Sequence, residues 1–306
     1  MSPTGPMTRP RRVGAVVHPG RPAALELGKK LASWGAERGV ELRTLHEERG
    51  CLGQEVPCVP PEEFPVGLDL VVVLGGDGTL LRALGLVLEA GVPVLGVNLG
   101  RLGFLTEVEP GGLWSALEAV CAGRYEVERR STLAARVEVG GRIIAEDVAV
   151  NDVVLEKAPR QRLAGVAVYV GEVLFARYAA DGIILATPTG STAYSFSAAG
   201  PIVSPRLEAL LLTPIAPHMV FNRSLVLHPQ ETVRLEVLAE SPPVVEIVDG
   251  RAVRELPPGS LVEVCLGPHP ALLVRITPTD FYSLVRSKFR LADAGETLNG
   301  NDGQLS

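Results

Sequence analysis

The stretch Leu70-Val71-Val72-Val73-Leu74-Gly75-Gly76-Asp77-Gly78-Thr79-Leu80-Leu81 constrains the fold more than any other. A β-branched run ends in a glycine turn and passes into a helix-forming segment, the layout of a phosphate-binding strand–turn–helix. Glycines let the backbone approach an anion, and the helix N-terminus favours negative charge. Asp77 is odd in a pure phosphate cradle, because its charge repels phosphate. It fits if it accepts a proton, or acts on a metal carried with the phosphates. The alternative is an ordinary Gly-Asp-Gly turn with Asp77 as the helix N-cap.

A second, independent stretch runs from Asp181 to Pro201. Ile183 to Ala186 reads as a short buried strand. Thr187, Thr189, Ser191, Thr192, Ser195 and Ser197 then supply hydroxyls, while Pro188 and Gly190 break any regular element. Small side chains leave N–H and hydroxyl groups open to a ligand. Tyr194 adds a flat face with a polar tip, suited to a base or nicotinamide ring. Alone, the stretch reads equally well as a Ser/Thr-rich surface loop; the upstream glycine turn favours a ligand site.

The remaining chain falls into two rhythms. Strands at Val13 to Val17, Val40 to Leu45, Asp69 to Leu74 and Val92 to Val97 alternate with helices at Ala23 to Arg38, Leu80 to Ala90 and Leu113 to Ala122. That alternation predicts a parallel sheet covered on both faces. Ligands of such sheets bind beyond the carboxyl ends of the strands, where Asp77, Asn98 and Phe104 fall. From Thr132 onward, short segments separated by Gly-Gly or Gly-Glu turns replace the helices and predict an antiparallel, β-rich part. Arg206 to Leu212 reads as a short helix and Phe281 to Leu291 as a final amphipathic helix. Residues 1–12 and 292–306 read as disordered. The expected division is residues 1–128 with 279–306 as an α/β domain and 129–278 as a β-rich domain.

A chain of 306 residues with 46% apolar composition has ample material for such cores. A net charge of −6 argues against nucleic acid or an anionic membrane as the main partner. No run reaches the roughly 18 apolar residues of a membrane span, and the reading is a soluble cytoplasmic protein. Cys51, Cys58, Cys121 and Cys265 lack Cys-x-x-Cys spacing and read as free thiols. The histidines lack metal-ligand spacing, and no protein-only metal site is expected. His18 follows the first strand, where it either lies near the ligand edge or is solvated. Gly-x-x-x-x-Gly-Lys-Ser/Thr and Gly-x-Ser-x-Gly are both absent.

Gly75–Thr79, Gly-Arg-Leu-Gly-Phe-Leu-Thr-Glu at 100–107, Asn151-Asp152 and Thr-Pro-Thr-Gly-Ser-Thr-Ala-Tyr-Ser at 187–195 resemble, in order and spacing, the NAD kinase family. The resemblance spans roughly residues 13 to 290. The first motif is shared in part with lipid kinases and phosphofructokinases, whereas the last is specific. It implies a Rossmann-like N-terminal sheet, a β-rich NAD-binding domain and a C-terminal helix that returns to the first domain. It implies transfer of a phosphoryl group from ATP, with Mg²⁺ or another divalent cation, to the 2′-hydroxyl of the adenosine ribose of NAD.

By the same resemblance, Asp77 is the base, and Gly75, Gly76, Gly78 and Thr79 hold phosphates. Asn151 and Asp152 contact the dinucleotide, here with the shorter acid of the usual Asn-Glu or Asn-Asp pair. Thr192, Ala193, Tyr194 and Ser197 line the NAD pocket, and Asp181 meets the nicotinamide end. Ala216 comes from a neighbouring subunit of a homodimer or homotetramer. Phe104 matches a wall of the adenine region and reads as well as a core aromatic. Departures are Ala179 where many members carry Arg or Lys, with Arg177 nearby, and Asp249-Gly250-Arg251 where Asp-Gly-Gln is frequent. Two other readings are a diacylglycerol- or sphingoid-type lipid kinase and a catalytically silent NAD(P)-binding regulator. The Thr187–Ser197 stretch argues against the first and Asp77 against the second. The donor, ATP or polyphosphate, and the acceptor, NAD or NADH, stay open.

Overall fold

The structure, a computed structural model, describes residues 9–100, 103–158, 162–277 and 280–291. Strands β1 (Arg12–Val17), β2 (Glu41–Leu45), β3 (Cys58–Val59), β4 (Leu70–Gly75) and β5 (Val94–Asn98) alternate with helices α1 (Pro22–Arg38), α2 (Asp77–Val87) and α3 (Leu113–Cys121). The chain then leaves the helical rhythm through β6 (Glu126–Arg130). Next come β7 (Leu133–Val139), β8 (Arg142–Ala149), β9 (Asp152–Lys157), β10 (Ala164–Val170), β11 (Val173–Ala180) and β12 (Gly182–Ala186). A short helix α4 (Tyr194–Ser197) precedes β13 (Leu210–Ile215), β14 (Leu225–Leu227), β15 (Val233–Val237), β16 (Val244–Val248), β17 (Arg251–Leu256) and β18 (Leu261–Leu266). Finally β19 (Ala271–Arg275) and α5 (Phe281–Phe289) close the described chain.

The first sheet has the order β3-β2-β1-β4-β5-β19-β6. It is parallel except for β6, which runs antiparallel to β19. Its strands are continuous apolar runs because both faces are covered: Leu70, Val72 and Leu74 pack toward α1 and α3, and Val71 and Val73 toward α2. Residues 271–275 therefore return to the first layer before α5 begins.

Two antiparallel six-stranded sheets, β11-β10-β15-β18-β7-β8 and β14-β13-β12-β9-β16-β17, face each other across one core. Leu133, Val153, Val166, Ile183, Leu212 and Val262 meet there. The β7–β8 hairpin turns at Gly140 and Gly141, whose φ angles of 58° and 75° suit the mirror-image turn that follows strand twist. The second sheet also buries its outer face, because Val154, Ile184, Ala186 and Leu211 lie under Tyr194 and Ala198 of the α4 region.

That double burial corrects the expected helix at Arg206 to Leu212, which is instead the turn before β13 and its first residues. Leu210 and Leu212 face the inter-sheet core and Leu211 the opposite side. A run buried on both faces carries no periodicity to distinguish strand from helix. Pro214 is tolerated because the β14 ladder ends at the Leu212–Leu225 pair. All four cysteines are free. No helix among the described residues is long and apolar enough to cross a membrane.

Candidate active site

The site starts where β4 runs out. Gly75 ends the strand beside Asn98 of β5, Gly76 is extended, and α2 begins at Asp77. The Asp77 carboxylate turns onto the loop after β5. Oδ2 accepts the Phe104 N–H at 2.7 Å, and Oδ1 accepts Leu105 N–H at 3.3 Å, Thr106 N–H at 3.2 Å and Thr106 Oγ1 at 3.2 Å. Each carboxylate oxygen offers about two acceptor positions and Oδ2 uses one, so Oδ2 keeps one for an incoming hydroxyl. Gly103 permits this approach: a Cβ there would sit 2.6 Å from Asp77 Cγ and 2.5 Å from Thr106 Oγ1. The first two motifs thus form one structure.

A cleft of about 920 Å³ opens over this turn, lined by Gly76, Asp77, Gly78 and Thr79 together with His18, Arg21, Arg82 and Lys288. Gly76 and Gly78 present open backbone, since a Cβ on either would meet nothing within 4 Å. Arg21 follows β1 and donates to the Leu99 carbonyl at 2.6 Å. Arg82 pairs with Glu47 and with the buried Glu48, which also accepts Val17 N–H at 2.7 Å and Thr44 Oγ1 at 2.9 Å. Burial pushes the Glu48 carboxyl above its ordinary value against the pull of these donors and Arg82. Lys288 arrives from α5, its Nζ 4.9 Å from the Phe104 ring centre. His18 lies in the cleft, accepting Gly20 N–H at Nδ1 at 3.2 Å. Sequence reasoning did not single out Arg21 or Arg82. Nor did it single out Lys288, since no local pattern announces a residue delivered some 200 positions away.

A second cluster forms on the β-rich side. The chain breaks between β8 and β9 at Val150 and Asn151. The Asp249 carboxylate holds the break by accepting Val150 N–H at 3.0 Å, Asn151 N–H at 2.7 Å and Asp152 N–H at 3.2 Å. Gly190 packs against Asn151 so closely that a Cβ would fall 2.6 Å from the Asn151 carbonyl carbon. Thr187 Oγ1 donates to the Val150 carbonyl at 2.7 Å. Asp152 is buried, and the backbone N–H of Tyr194 donates to its carboxylate. Burial first, then the charge of Asp249, pushes Asp152 up to about 7. Burial likewise raises Asp249, opposed by its three backbone donors and Arg251.

Tyr194 lies along β9, with its hydroxyl donating to Glu156 at 3.4 Å. Thr192 Oγ1 donates to the Thr189 carbonyl at 3.3 Å, and Ala193 links that turn to α4. Ser197 is exposed at the end of α4. Asp181 sits at the far end of β12, ion-paired with Lys157. Ala216 follows β13 beside it, exposed and at φ 43°, a left-handed conformation uncommon for alanine. Asp152 and Asp181 therefore mark opposite ends of the β9–β12 ladder, which runs from the Ala186–Asp152 pair to the Gly182–Glu156 pair. At the departures, Ala179 pairs with Gly165 in the β10–β11 hairpin and its carbonyl accepts His218 N–H at 2.8 Å.

Two bridges join the clusters. Phe289 of α5 lies 6.1 Å from Phe104 and 4.3 Å from Phe196 of α4, centre to centre. Phe104 is thus half-buried rather than core and contacts the returning helix. The second bridge is ionic. Glu107 accepts from Thr277 Oγ1 at 2.9 Å and pairs with Arg275, Arg275 Nε pairs with Glu128 at 2.7 Å, and Glu128 pairs with Arg130 at 2.9 Å. Arg130 Nη1 then donates to Thr189 Oγ1 at 3.3 Å. Burial alone would raise Glu128, but the two arginines hold it below its ordinary value.

One carboxylate among three cationic side chains and an open glycine turn, linked to a polar cluster on a β-sandwich, defines a site suited to a phosphate-bearing nucleotide. The comparisons narrow that class. Residues 58–125 match the ATP-NAD kinase N-terminal domain and residues 150–276 the ATP-NAD kinase C-terminal domain. The chain is 42% identical to NAD kinase 1 of Streptomyces avermitilis, covering 96% of this chain and 91% of that protein. It is 42% identical to the NAD kinase of Heliobacterium modesticaldum, covering 91% and 98%. Among solved structures, an Archaeoglobus fulgidus NAD kinase in complex with ATP superposes with a TM-score of 0.69 at 26% identity, over 91% and 98% of the chains. Yeast NADH kinase complexed with NADH superposes with a TM-score of 0.85 at 24% identity, over 100% and 94%, a likeness of fold. The chain belongs to the NAD kinase family.

Proposed function

We propose that this chain transfers the terminal phosphoryl group of ATP to the 2′-hydroxyl of the adenosine ribose of NAD, giving NADP and ADP. The observation that carries the reading is the placement of Asp77, the one carboxylate among the described residues that line a cleft edged by open glycine backbone, Arg21, Arg82 and Lys288. The names of the relatives, NAD kinases at 42% identity over nearly the whole chain, support it.

The donor's phosphates sit against Gly76, Gly78 and Thr79, with the three cations neutralising charge as the terminal group moves. The free acceptor position on Asp77 Oδ2 takes the hydroxyl proton. The Phe104, Leu105 and Thr106 amides fix the carboxylate, so little reorganisation accompanies attack. Asn151, Asp152, Thr192, Ala193, Tyr194 and Ser197 hold the dinucleotide along β9 and β12, with Asp181 toward the nicotinamide end. Asp152, its carboxyl pushed up to about 7, offers an O–H donor as well as an acceptor whenever it is protonated.

A divalent ion fits this donor set when it travels with the triphosphate. The described residues hold no group of three candidate ligands, and the free position on Asp77 is kept for the hydroxyl, so the ion would be held by phosphate oxygens and water. Bound Mg²⁺ supplies charge neutralisation at the donor phosphates. The exposed, left-handed Ala216 loop is the segment we assign to a neighbouring subunit's site, in a homodimer or homotetramer working in the cytoplasm.

The test is NADP formation from NAD with ATP and Mg²⁺, beside Asp77→Ala. Turnover that drops ~10²-fold or more in the variant supports function and base together. Unchanged turnover in the variant refutes Asp77 as base, and no NADP from wild type with ATP or polyphosphate refutes the reaction.

A further inference from the structure

Away from the cleft, a recess of about 420 Å³ lies where the end of β6 meets the 205–208 turn and the 229–230 and 266–270 loops. Three of its lining side chains are guanidinium groups, Arg129, Arg130 and Arg206, against one carboxylate, Glu208. This concentration of positive charge stands out on a chain of net charge −6. The side chain of Arg130 is only 7% exposed, and its Nε has no hydrogen-bond partner among the described residues. Such an orphaned donor is costly in a folded chain, but the atom is itself enclosed, so Arg129 and Arg206 are the guanidinium groups that a ligand in the recess meets first. Neither the Arg129 nor the Arg206 side chain makes a hydrogen bond or an ion pair with the described residues; Glu208 shares the recess with Arg206, and the charge of Arg206 also acts on Asp280.

The rest of the wall is mostly apolar, four prolines with Leu207, Leu266 and Gly267, and includes the polar side chains of Ser131 and Gln230. Prolines carry no N–H, so side-chain donation comes from the arginines, Ser131 and the Gln230 amide. Guanidinium forks match phosphate oxygens, and an apolar wall suits a carbon body. Arg130 is also the last link of the ionic bridge, through Nη1 to Thr189 Oγ1. Whatever engages Arg130 from the recess acts on the Thr187–Ser195 turn.

We propose that this recess is a second ligand site, taking a small phosphate monoester, and that occupancy is felt at the dinucleotide groove through Arg130 and Thr189. The phosphate lies against Arg129, Arg130 and Arg206, and the carbon body against the prolines.

The experiment is calorimetric titration of the full chain with ribose 5-phosphate and with inorganic phosphate, the main cleft being filled with a non-hydrolysable ATP analogue. Wild type binds ribose 5-phosphate, and the Arg129→Ala/Arg206→Ala double variant binds it at least ~10-fold more weakly. In steady-state assays ribose 5-phosphate shifts the KM for NAD of wild type by ~3-fold or more, and leaves the double variant, whose basal kinetics are unchanged, unaffected. Thr189→Val keeps the binding and loses the kinetic response. Equal affinity in wild type and double variant overturns the site. Binding lost in the double variant with no kinetic response in wild type overturns the coupling. The binding arm does not depend on the proposed reaction.

Discussion

Gly103→Ala tests the positioning of Asp77 without touching Asp77. The added Cβ would lie 2.6 Å from Asp77 Cγ, against the 3.4 Å at which ordinary contact begins. The carboxylate or the loop must therefore yield by about 0.8 Å or more. Either movement pulls the Phe104, Leu105 and Thr106 donors off the carboxylate oxygens. A misplacement of about 1 Å can cost ~10²-fold in rate, or about 2.7 kcal/mol of barrier. The expected result is a kcat lowered ~10²-fold in a chain that still melts cooperatively, since the strain falls on a loop at the cleft rather than in a core. Gly76→Ala, whose Cβ would meet nothing within 4 Å, is the companion: it leaves the melting unchanged and raises the KM for ATP. A Gly103→Ala enzyme within ~3-fold of wild-type kcat would show that the tight fit of Gly103 on Asp77 has no bearing on catalysis.

Three further outcomes follow from named contacts. Lys288→Ala should raise the KM for ATP by ~10-fold, about 1.4 kcal/mol, while urea melts stay within ~0.5 kcal/mol of wild type; an unchanged KM removes Lys288 from the phosphate site. Asp152 ionises near pH 4 in the unfolded chain but near 7 when folded, so the folded state holds the extra proton between those values and stability falls as pH rises through that window. Glu48, Glu246 and Asp249, also raised, act in the same direction, and Glu128, lowered, in the opposite one. Urea melts at pH 5 and pH 8 should therefore show a smaller loss for Asp152→Asn than for wild type, and equal losses contradict the assignment. Glu107→Ala strips Arg275 of one partner and leaves Ile276 and Thr277 N–H groups unmet, which should cost about 3 kcal/mol by denaturant titration; a loss under ~1 kcal/mol means the ionic bridge is dispensable for stability.

Much of this was legible because backbone demands and sequence agree. Leu70 to Leu74 is apolar at every position since α-helices cover both faces, and the glycines after it mark the strand end where a ligand is met. Ile183 to Ala186 was readable for the same reason. Leu210 to Leu212 misled because the identical double burial hid its period. Strand β17 alternates only weakly, yet Asp249-Gly250, at φ 48° and 76°, is the hairpin turn that announces it. The four hydrogen bonds on Asp77 use mostly backbone donors, which no residue pattern records. Lys288 and Arg130 reach their sites only through tertiary packing, so their roles follow from the fold alone.

Strand β19 has a consequence that its five residues do not suggest. A phosphoryl transfer needs donor and acceptor within about 3–3.5 Å and aligned, yet Asp77 belongs to the first layer and the Thr187–Ser195 turn to the second. A chain crossing once between layers, through β6, would leave a single pivot. The return through β19 adds a second crossing hydrogen-bonded beside the first. Their side chains then interlock: Glu128 and Arg130 from β6 meet Arg275 from β19, which also donates to the Leu105 carbonyl at 3.0 Å, within the 104–106 segment whose amides hold Asp77. The other end of that network reaches Thr189. The paired strands thus fix the spacing of the two clusters from inside the protein, while Phe289 ties them at the surface. A change that weakens β19 should consequently impair catalysis before it unfolds either layer.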